Sequence, residues 1–122
     1  MAVTSFKDLV VWQRGISLAK HTYLATSSLP KEEKYGLISQ MRRCAVSIPS
    51  NIAEGKQRGT KKDFVQFLRI SAGSAAELET QIILVSEIYP QSDFTSVSSD
   101  LEEVQKMLST MISKLAISSK PL

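Results

Sequence analysis

Few side chains of this chain have the types and spacing that catalysis needs. Cys44 is the only cysteine and His21 the only histidine among its 122 residues. Di-iron sites in helical bundles use a Glu-x-x-His pair on each of two helices, and no acid stands three residues before His21. A zinc site needs a cluster of Cys and His, and no glycine-rich phosphate loop follows a strand pattern. We therefore predict no enzymatic activity, metal, cofactor or small-molecule substrate.

Cys44 and His21 are more simply interpreted as structural residues than as catalytic ones. Cys44 flanks an apolar helical face and is expected in the core, whereas His21 is expected at the surface. A lone cysteine excludes an intrachain disulfide and is typical of a reducing compartment. No apolar run reaches the roughly 20 residues of a membrane span, and residues 1–8 lack the features of a signal peptide. These observations predict a cytoplasmic protein away from membranes.

A polar stripe is the next candidate site. Its members recur at 4,4,3,4 spacing, which places them on one side of a helix: Arg43, Ser47, Asn51, Glu54 and Arg58. One interpretation is a structural network of hydrogen bonds and ion pairs that ties this helix to a neighbour. The other interpretation is a polar pocket.

The positive charge is concentrated in the middle of the chain. Residues 42–69 hold seven basic against two acidic side chains, net +5, whereas residues 70–122 are net −4. The basic residues are Arg42, Arg43, Lys56, Arg58, Lys61, Lys62 and Arg69. Clustered Lys and Arg attract phosphate backbones, but no aromatic residue is interleaved for base stacking. The segment predicts a nucleic-acid interface, and a solvated charge cluster is the alternative.

Four amphipathic helices must position these residues. They are predicted at about 6–27, 31–58, 61–89 and 93–117 of a single domain spanning 1–122. The apolar positions step by three and four in each. They are Leu9, Trp12, Ile16, Ala19 and Tyr23; then Ile38, Met41, Ala45, Ile48 and Ile52; then Phe64, Leu68, Ser71, Ala75, Leu78, Ile82, Val85 and Tyr89; then Val97, Leu101, Val104, Leu108, Met111 and Leu115. Because the connections are short, we predict an all-α, antiparallel up-down four-helix bundle.

Local signals mark the ends and one irregularity of these helices. Ser5 and Thr60 are predicted N-caps of the first and third helices. Pro49 lies inside the second apolar pattern, where it removes a hydrogen bond and clashes with the preceding turn, so we predict a kink there. The apolar register resumes at Ile52, which argues against a helix end. The pole shared by the second helix end and third helix start then gathers Lys56, Arg58, Lys61 and Lys62.

The third helix also has a second, partly apolar face. A helix that is apolar on more than one side is buried on more than one side. The face predicts a subunit interface that includes Ile70, Gly73, Glu77, Glu79 and Leu84. The alternative is the ordinary scatter of apolar residues on a protein surface.

Three segments, Phe6–Trp12, Leu37–Gly55 and Phe64–Gln81, carry a family resemblance. The second contains Gln40 and a Ser-Ile-Pro-x-Asn-Ile-Ala-Glu-Gly block whose landmarks are Ser47, Pro49, Asn51, Glu54 and Gly55. The chain resembles the bacterial four-helix-bundle family encoded by intervening sequences of 23S rRNA genes. The resemblance implies a ring-forming homopentamer without known enzymatic activity. A more distant similarity is to the accessory protein of diversity-generating retroelements, which binds nucleic acid and a reverse transcriptase.

Two functional hypotheses follow from these observations. The first is a non-enzymatic, ring-forming bundle that binds structured RNA or DNA through its basic pole. The second is a protein-only scaffold that docks a partner protein in its grooves.

Overall fold

The computed structural model describes residues 5–118, and within them the chain is helical, without a β-strand. The four α-helices are α1 (Val10–Thr26), α2 (Leu37–Gln57), α3 (Lys61–Ile88) and α4 (Thr95–Ser118). Single-turn 3-10 helices, Phe6–Asp8 and Lys31–Glu33, precede α1 and α2. The predicted all-α four-helix bundle is confirmed.

Neighbouring helices are antiparallel, because paired residues run in opposite directions along the chain. The pairs are Gly15 with Pro49 and Thr26 with Arg42 for α1 and α2, Ile48 with Ser71 and Cys44 with Ser74 for α2 and α3, and Arg14 with Glu103 and His21 with Asp100 for α1 and α4. Close backbone contacts join α1 to α2, α2 to α3, α3 to α4 and α4 back to α1. The four helices therefore close around one core.

The core confirms the apolar faces predicted for the last three helices. Met41, Ala45, Ile48 and Ile52 of α2 are fully buried. They meet Leu68, Ala75, Leu78, Ile82 and Val85 of α3 and Val97, Leu101, Val104 and Leu108 of α4. Cys44 is also buried, as predicted. At about 25 cal/mol per Å² of apolar surface, burial of these side chains is the main force that holds the bundle together.

The face predicted for the first helix is only partly correct, because Leu9, Trp12 and Ala19 pack against the core at its edge. Ile16 and Tyr23 are each 45% exposed. The face that packs inward consists of Val11, Gly15, Leu18, Thr22 and Thr26. The two threonines are tolerated there because each Oγ1 donates to a backbone carbonyl one turn back, Thr22 to Leu18 at 2.8 Å and Thr26 to Thr22 at 2.7 Å.

Helix α2 continues through Pro49, and a kink at this residue stays a prediction. The ring of Pro49 is buried against α1, where a Cβ placed on Gly15 would lie 3.2 Å from the proline Cβ. Three carbonyls of the turns before the proline accept side-chain bonds. Those of Cys44 and Ser47 accept from Ser47 and Asn51 of the same helix, and that of Ile48 accepts from Ser71 of α3. Close packing on both sides thus surrounds the proline.

The helix ends follow ordinary capping chemistry. Thr60 accepts a hydrogen bond from the Asp63 amide at 3.1 Å and caps α3 as predicted. Ser5 caps only the 3-10 turn Phe6–Asp8, by accepting from the Lys7 amide, so it does not cap α1. Gly59 has φ +88°, a left-handed conformation that ends α2 and that glycine adopts without strain.

Candidate nucleic-acid interfaces at the two ends of the bundle

The turn from α2 to α3 gathers four basic side chains, Lys56, Arg58, Lys61 and Lys62, which we call the basic pole. α2 ends at Gln57 and α3 begins at Lys61, so only three residues separate the two helices. The left-handed Gly59 makes so short a reversal possible. The same end of the bundle also holds the start of α1 and the end of α4, because the helices are antiparallel.

Two cations of the basic pole lie over phenyl rings. The guanidinium of Arg58 is 5.0 Å from the ring centroid of Phe67, and the ammonium of Lys56 is 5.9 Å from that of Phe64. Arg58 also pairs with Glu54 at 2.9 Å, but both side chains are about half exposed, 51% and 53%. Exposed pairs of this kind contribute about 0–1 kcal/mol. The ion pair therefore adds little stability, and the guanidinium of Arg58 remains at the surface.

The structure separates the remaining predicted basic residues from the basic pole. Arg42 and Arg43 precede Lys56 by fourteen and thirteen residues on α2. At about 1.5 Å per helical residue they lie about 20 Å away, at the opposite end of the bundle. Arg69 lines a groove between α3 and α4 together with Gln105 and Ile112. The seven residues of the predicted interface thus fall in three places.

Arg42 and Arg43 belong to a surface that we call the tyrosine–arginine groove. It has a volume of about 400 Å³ and is lined by Tyr23, Lys34, Tyr35, Ile38, Ser39, Arg42 and Arg43. The guanidinium of Arg42 lies 4.5 Å from the ring centroid of Tyr23. Sequence reasoning found no aromatic residue among the basic ones and missed this arrangement. The arrangement could have been predicted from the antiparallel α1–α2 hairpin, because this hairpin places residue 23 opposite residue 42.

The polar side chains of the α2 motif bond mainly within their own helix, and Ser47 also reaches the neighbouring helix α3. Ser47 Oγ lies 2.6 Å from Ser74 Oγ across the α2–α3 contact, and Asn51 Nδ2 donates to the Ser47 carbonyl at 2.7 Å. Glu54 pairs with Arg58 on the surface, Arg43 is exposed, and Gln40 is exposed one turn after Gly36. Gly55 is buried against Phe67.

The predicted subunit interface on α3 is an exposed face in the single chain. Ile70 and Leu84 are 45% and 46% exposed, and Glu77 is exposed as well. In the described part of the chain, a Cβ added to Gly73 would meet no atom within 4 Å outside the adjoining backbone of α3. Glu79 differs from these residues, because its Oε1 accepts from Gln105 of α4 at 3.0 Å.

A polar cluster between α1 and α4 was not predicted. Asp100 is only 8% exposed, and its Oδ2 accepts from Ser17 Oγ at 3.0 Å and lies 2.5 Å from His21 Nδ1. His21, expected at the surface, is thus half-buried and partnered. Ser17 and His21 both contact the same carboxylate oxygen of Asp100. A nucleophilic serine would instead be hydrogen-bonded to the histidine that acts as its base.

The thiol of Cys44 is held in its neutral form. Burial raises the pKa of Cys44 to about 12, and the nearby carboxylate of Glu77 adds to the effect. Its Sγ donates to the Ser74 carbonyl at 3.0 Å. A thiol with so high a pKa is a poor nucleophile near neutral pH. Across residues 5–118, no three His, Cys, Asp or Glu side chains are grouped as a metal ion would need.

The search for membrane-spanning helices was negative for the described residues. None of their helices is both long and apolar enough to cross a bilayer.

Comparisons with known proteins identify a solved structure with a similar fold and the family to which the chain belongs. No curated protein matches the sequence significantly. A crystal structure of a protein with unknown function from the S23 ribosomal protein family of Bacteroides thetaiotaomicron is similar, with a TM-score of 0.74 and 24% identity. The similarity covers 84% of this chain and 98% of that one, and it supports the same bundle fold. The sequence model of the 23S rRNA-intervening sequence proteins matches residues 7–110. The chain therefore belongs to the 23S rRNA-intervening sequence protein family.

Proposed function

We propose that this protein is a non-enzymatic helical bundle that assembles into a ring and binds structured RNA or DNA through its basic pole. The observation that carries the proposal is the grouping of Lys56, Arg58, Lys61 and Lys62 around one tight turn. Phosphate backbones are attracted to such clusters through the release of counterions, without reading of the base sequence.

The position of two of these lysines supports a role in binding over one in folding. Lys61 and Lys62 occupy the first turn of α3, where the helix dipole already presents partial positive charge. Cations at this place cost the helix a little stability. Their charge instead adds to the field of the helix end, which favours an approaching phosphate.

The ring is supported by the exposed face of α3. Ile70, Leu84 and Ile88 of this one helix are each 45–50% exposed. A second copy of the chain that covered this face would remove their apolar surface from water. The family resemblance favours five copies, and a ring would repeat the basic pole around one rim.

Titration of a folded RNA hairpin across a salt series tests the binding proposal. We expect affinity to fall steeply between about 50 and 200 mM salt. Lys62→Glu should weaken binding and flatten the logarithmic salt slope by about one unit. Lys20→Glu, an exposed lysine on α1 with the same charge change, is the matched control. No binding at low salt, no salt slope, or equal losses in both variants would refute the proposal.

A protein-only scaffold is the second candidate, favoured by one observation. An apolar groove of about 380 Å³ lies between α1 and α4, lined mainly by Leu9, Val10, Val11, Met107 and Met111. Methionine-rich apolar grooves suit the docking of an amphipathic helix. This function predicts a partner that stays bound after nuclease treatment and is released by Val10→Glu, with Lys62→Glu unaffected.

A further inference from the structure

We infer that the tyrosine–arginine groove is a separate binding site for an unpaired base of a single-stranded nucleic acid, together with the phosphates beside that base. The site lies about 20 Å from the basic pole, and it recognises a different form of nucleic acid. It goes beyond the proposed function and does not require the basic pole to bind.

The first observation is an aromatic ring that the fold leaves open. Tyr35 is 87% exposed, far more than Tyr23, which is 45% exposed across the groove. The ammonium of Lys34 lies 5.4 Å from the ring centroid of Tyr35. Exposed aromatic rings flanked by cations are the platforms on which single-stranded nucleic acids stack their bases. The π-face of a base would cover the open ring, and the cation would face its phosphate.

The second observation is a guanidinium that is already held in place. Arg42 donates from Nε to Thr26 Oγ1 at 2.9 Å and from Nη2 to the Tyr23 carbonyl at 3.2 Å and to Ser27 Oγ at 3.3 Å. The guanidinium also stacks over the ring of Tyr23, which further restricts its movement. A fixed charge loses little entropy when a phosphate arrives. Arg42 therefore supplies a preorganised positive charge on one side of the groove.

The third observation is that none of the described residues lining the groove carries a carboxylate. Glu33, the acid closest in sequence to Lys34 and Tyr35 in the α1–α2 connection, is engaged elsewhere. Its Oε1 accepts from the Leu37 amide at 3.3 Å, and its Oε2 accepts from the Tyr89 hydroxyl at 2.6 Å. Lys34, Arg42 and Arg43 thus face the groove without an opposing charge in its lining. Arg43 is exposed, and its planar fork can grip a phosphate through two parallel hydrogen bonds.

The size of the groove fits this ligand. Its volume of about 400 Å³ falls in the range of small-ligand sites, about 300–1,000 Å³. A base with one sugar and its phosphate is of that size. A duplex keeps its internal bases stacked on one another, so away from its ends it offers no base face to Tyr35. The groove therefore selects unpaired strands.

An NMR titration with a uridine trinucleotide tests the site. We expect the ring-proton signals of Tyr35 to move upfield, as they do under a stacked base, and the Arg43 amide signal to shift. Tyr35→Leu should weaken binding about tenfold, and Tyr35→Phe should bind like the wild type. Because the ring is exposed, neither substitution should disturb folding, which circular dichroism checks. Arg43→Gln should weaken binding as well.

The controls separate this site from the basic pole and from simple anion binding. Lys62→Glu should bind the trinucleotide like the wild type, so the site stands even if the basic pole binds nothing. The inference is overturned if Tyr35 does not respond or if Tyr35→Leu binds normally. It is also overturned if inorganic phosphate or a short RNA duplex produces the same shifts. If uridine monophosphate bound as tightly as the trinucleotide, the groove would be a site for free nucleotides. The inference that it binds a single-stranded nucleic acid would then be overturned.

Discussion

A Cβ atom placed on Gly55 of α2 would lie 2.5 Å from the Cβ atom of Phe67 on α3. The two helices meet so closely here that only a glycine fits. Phe67 in turn lies under the guanidinium of Arg58. The last residue of the Ser-Ile-Pro-x-Asn-Ile-Ala-Glu-Gly block thus sets the distance between α2 and α3 next to the basic pole.

Gly55→Ala should therefore destabilise the bundle. Because the clashing atom is attached to the α3 backbone and cannot rotate away, the helices must move apart, at a cost of about 1–3 kcal/mol. Urea unfolding followed by circular dichroism measures the change. Gly15→Ala is the matched control, since its new Cβ would stand 3.2 Å from Pro49 and should cost less. A larger loss at Gly15 than at Gly55 would contradict the structure.

Gly73→Leu should disrupt assembly without disturbing the single subunit. Among residues 5–118, nothing outside the adjoining turns of α3 lies within 4 Å of the position where the side chain would begin, so the bundle itself tolerates the change. A subunit packed on this face would not tolerate it. Light scattering should show a mass of several subunits for the wild type and a lower mass for the variant, with Lys62→Ala unchanged. A wild type that is monomeric at micromolar concentration would refute the ring.

Asp100→Ala should destabilise the bundle by about 1–3 kcal/mol, because it leaves the Ser17 hydroxyl and the His21 ring without their partner. Glu102→Ala on the same helix is the control. Its ion pair with Lys106 is exposed, 69% and 76%, and should contribute less than about 1 kcal/mol. Chemical unfolding of both variants gives the comparison. Equal effects would mean that the cluster between α1 and α4 contributes no more than a surface pair.

The raised pKa of Cys44 predicts a loss of stability at high pH. In the unfolded chain the thiol ionises near its ordinary value of 9.0, whereas in the bundle it ionises at about 12. The unfolded state therefore releases its proton first, and the contribution of this group is complete below pH 9 and declines as the pH rises towards 12. Cys44→Ala should reduce this decline relative to the wild type. Identical pH profiles for the two proteins would contradict the burial of the thiol.

A thiol reagent offers an independent check at neutral pH. Since the native thiol is buried and neutral, modification should be slow in buffer and fast in urea.

Sequence periodicity alone determined the helices and three of their four buried faces. Residues such as Met41, Leu78 and Leu108 recur at helical spacing beside polar positions, so only one face of each helix could be buried. Helix α1 has apolar residues on several sides, and there the pattern favoured Ile16 and Tyr23, which are exposed. The tertiary structure decided otherwise, because Gly15 admits the ring of Pro49 and the buried threonines bond to their own helix.

The candidate sites depend on which distant residues the antiparallel arrangement brings together. The basic pole could be predicted, since Lys56 and Lys62 flank one short turn. The contact between His21 and Asp100 spans 79 positions and has no local signal. The tyrosine–arginine groove required the α1–α2 hairpin to place Tyr23 beside Arg42. Spacing along a helix is a local property of the chain, whereas the packing of one helix against another is decided by the whole core.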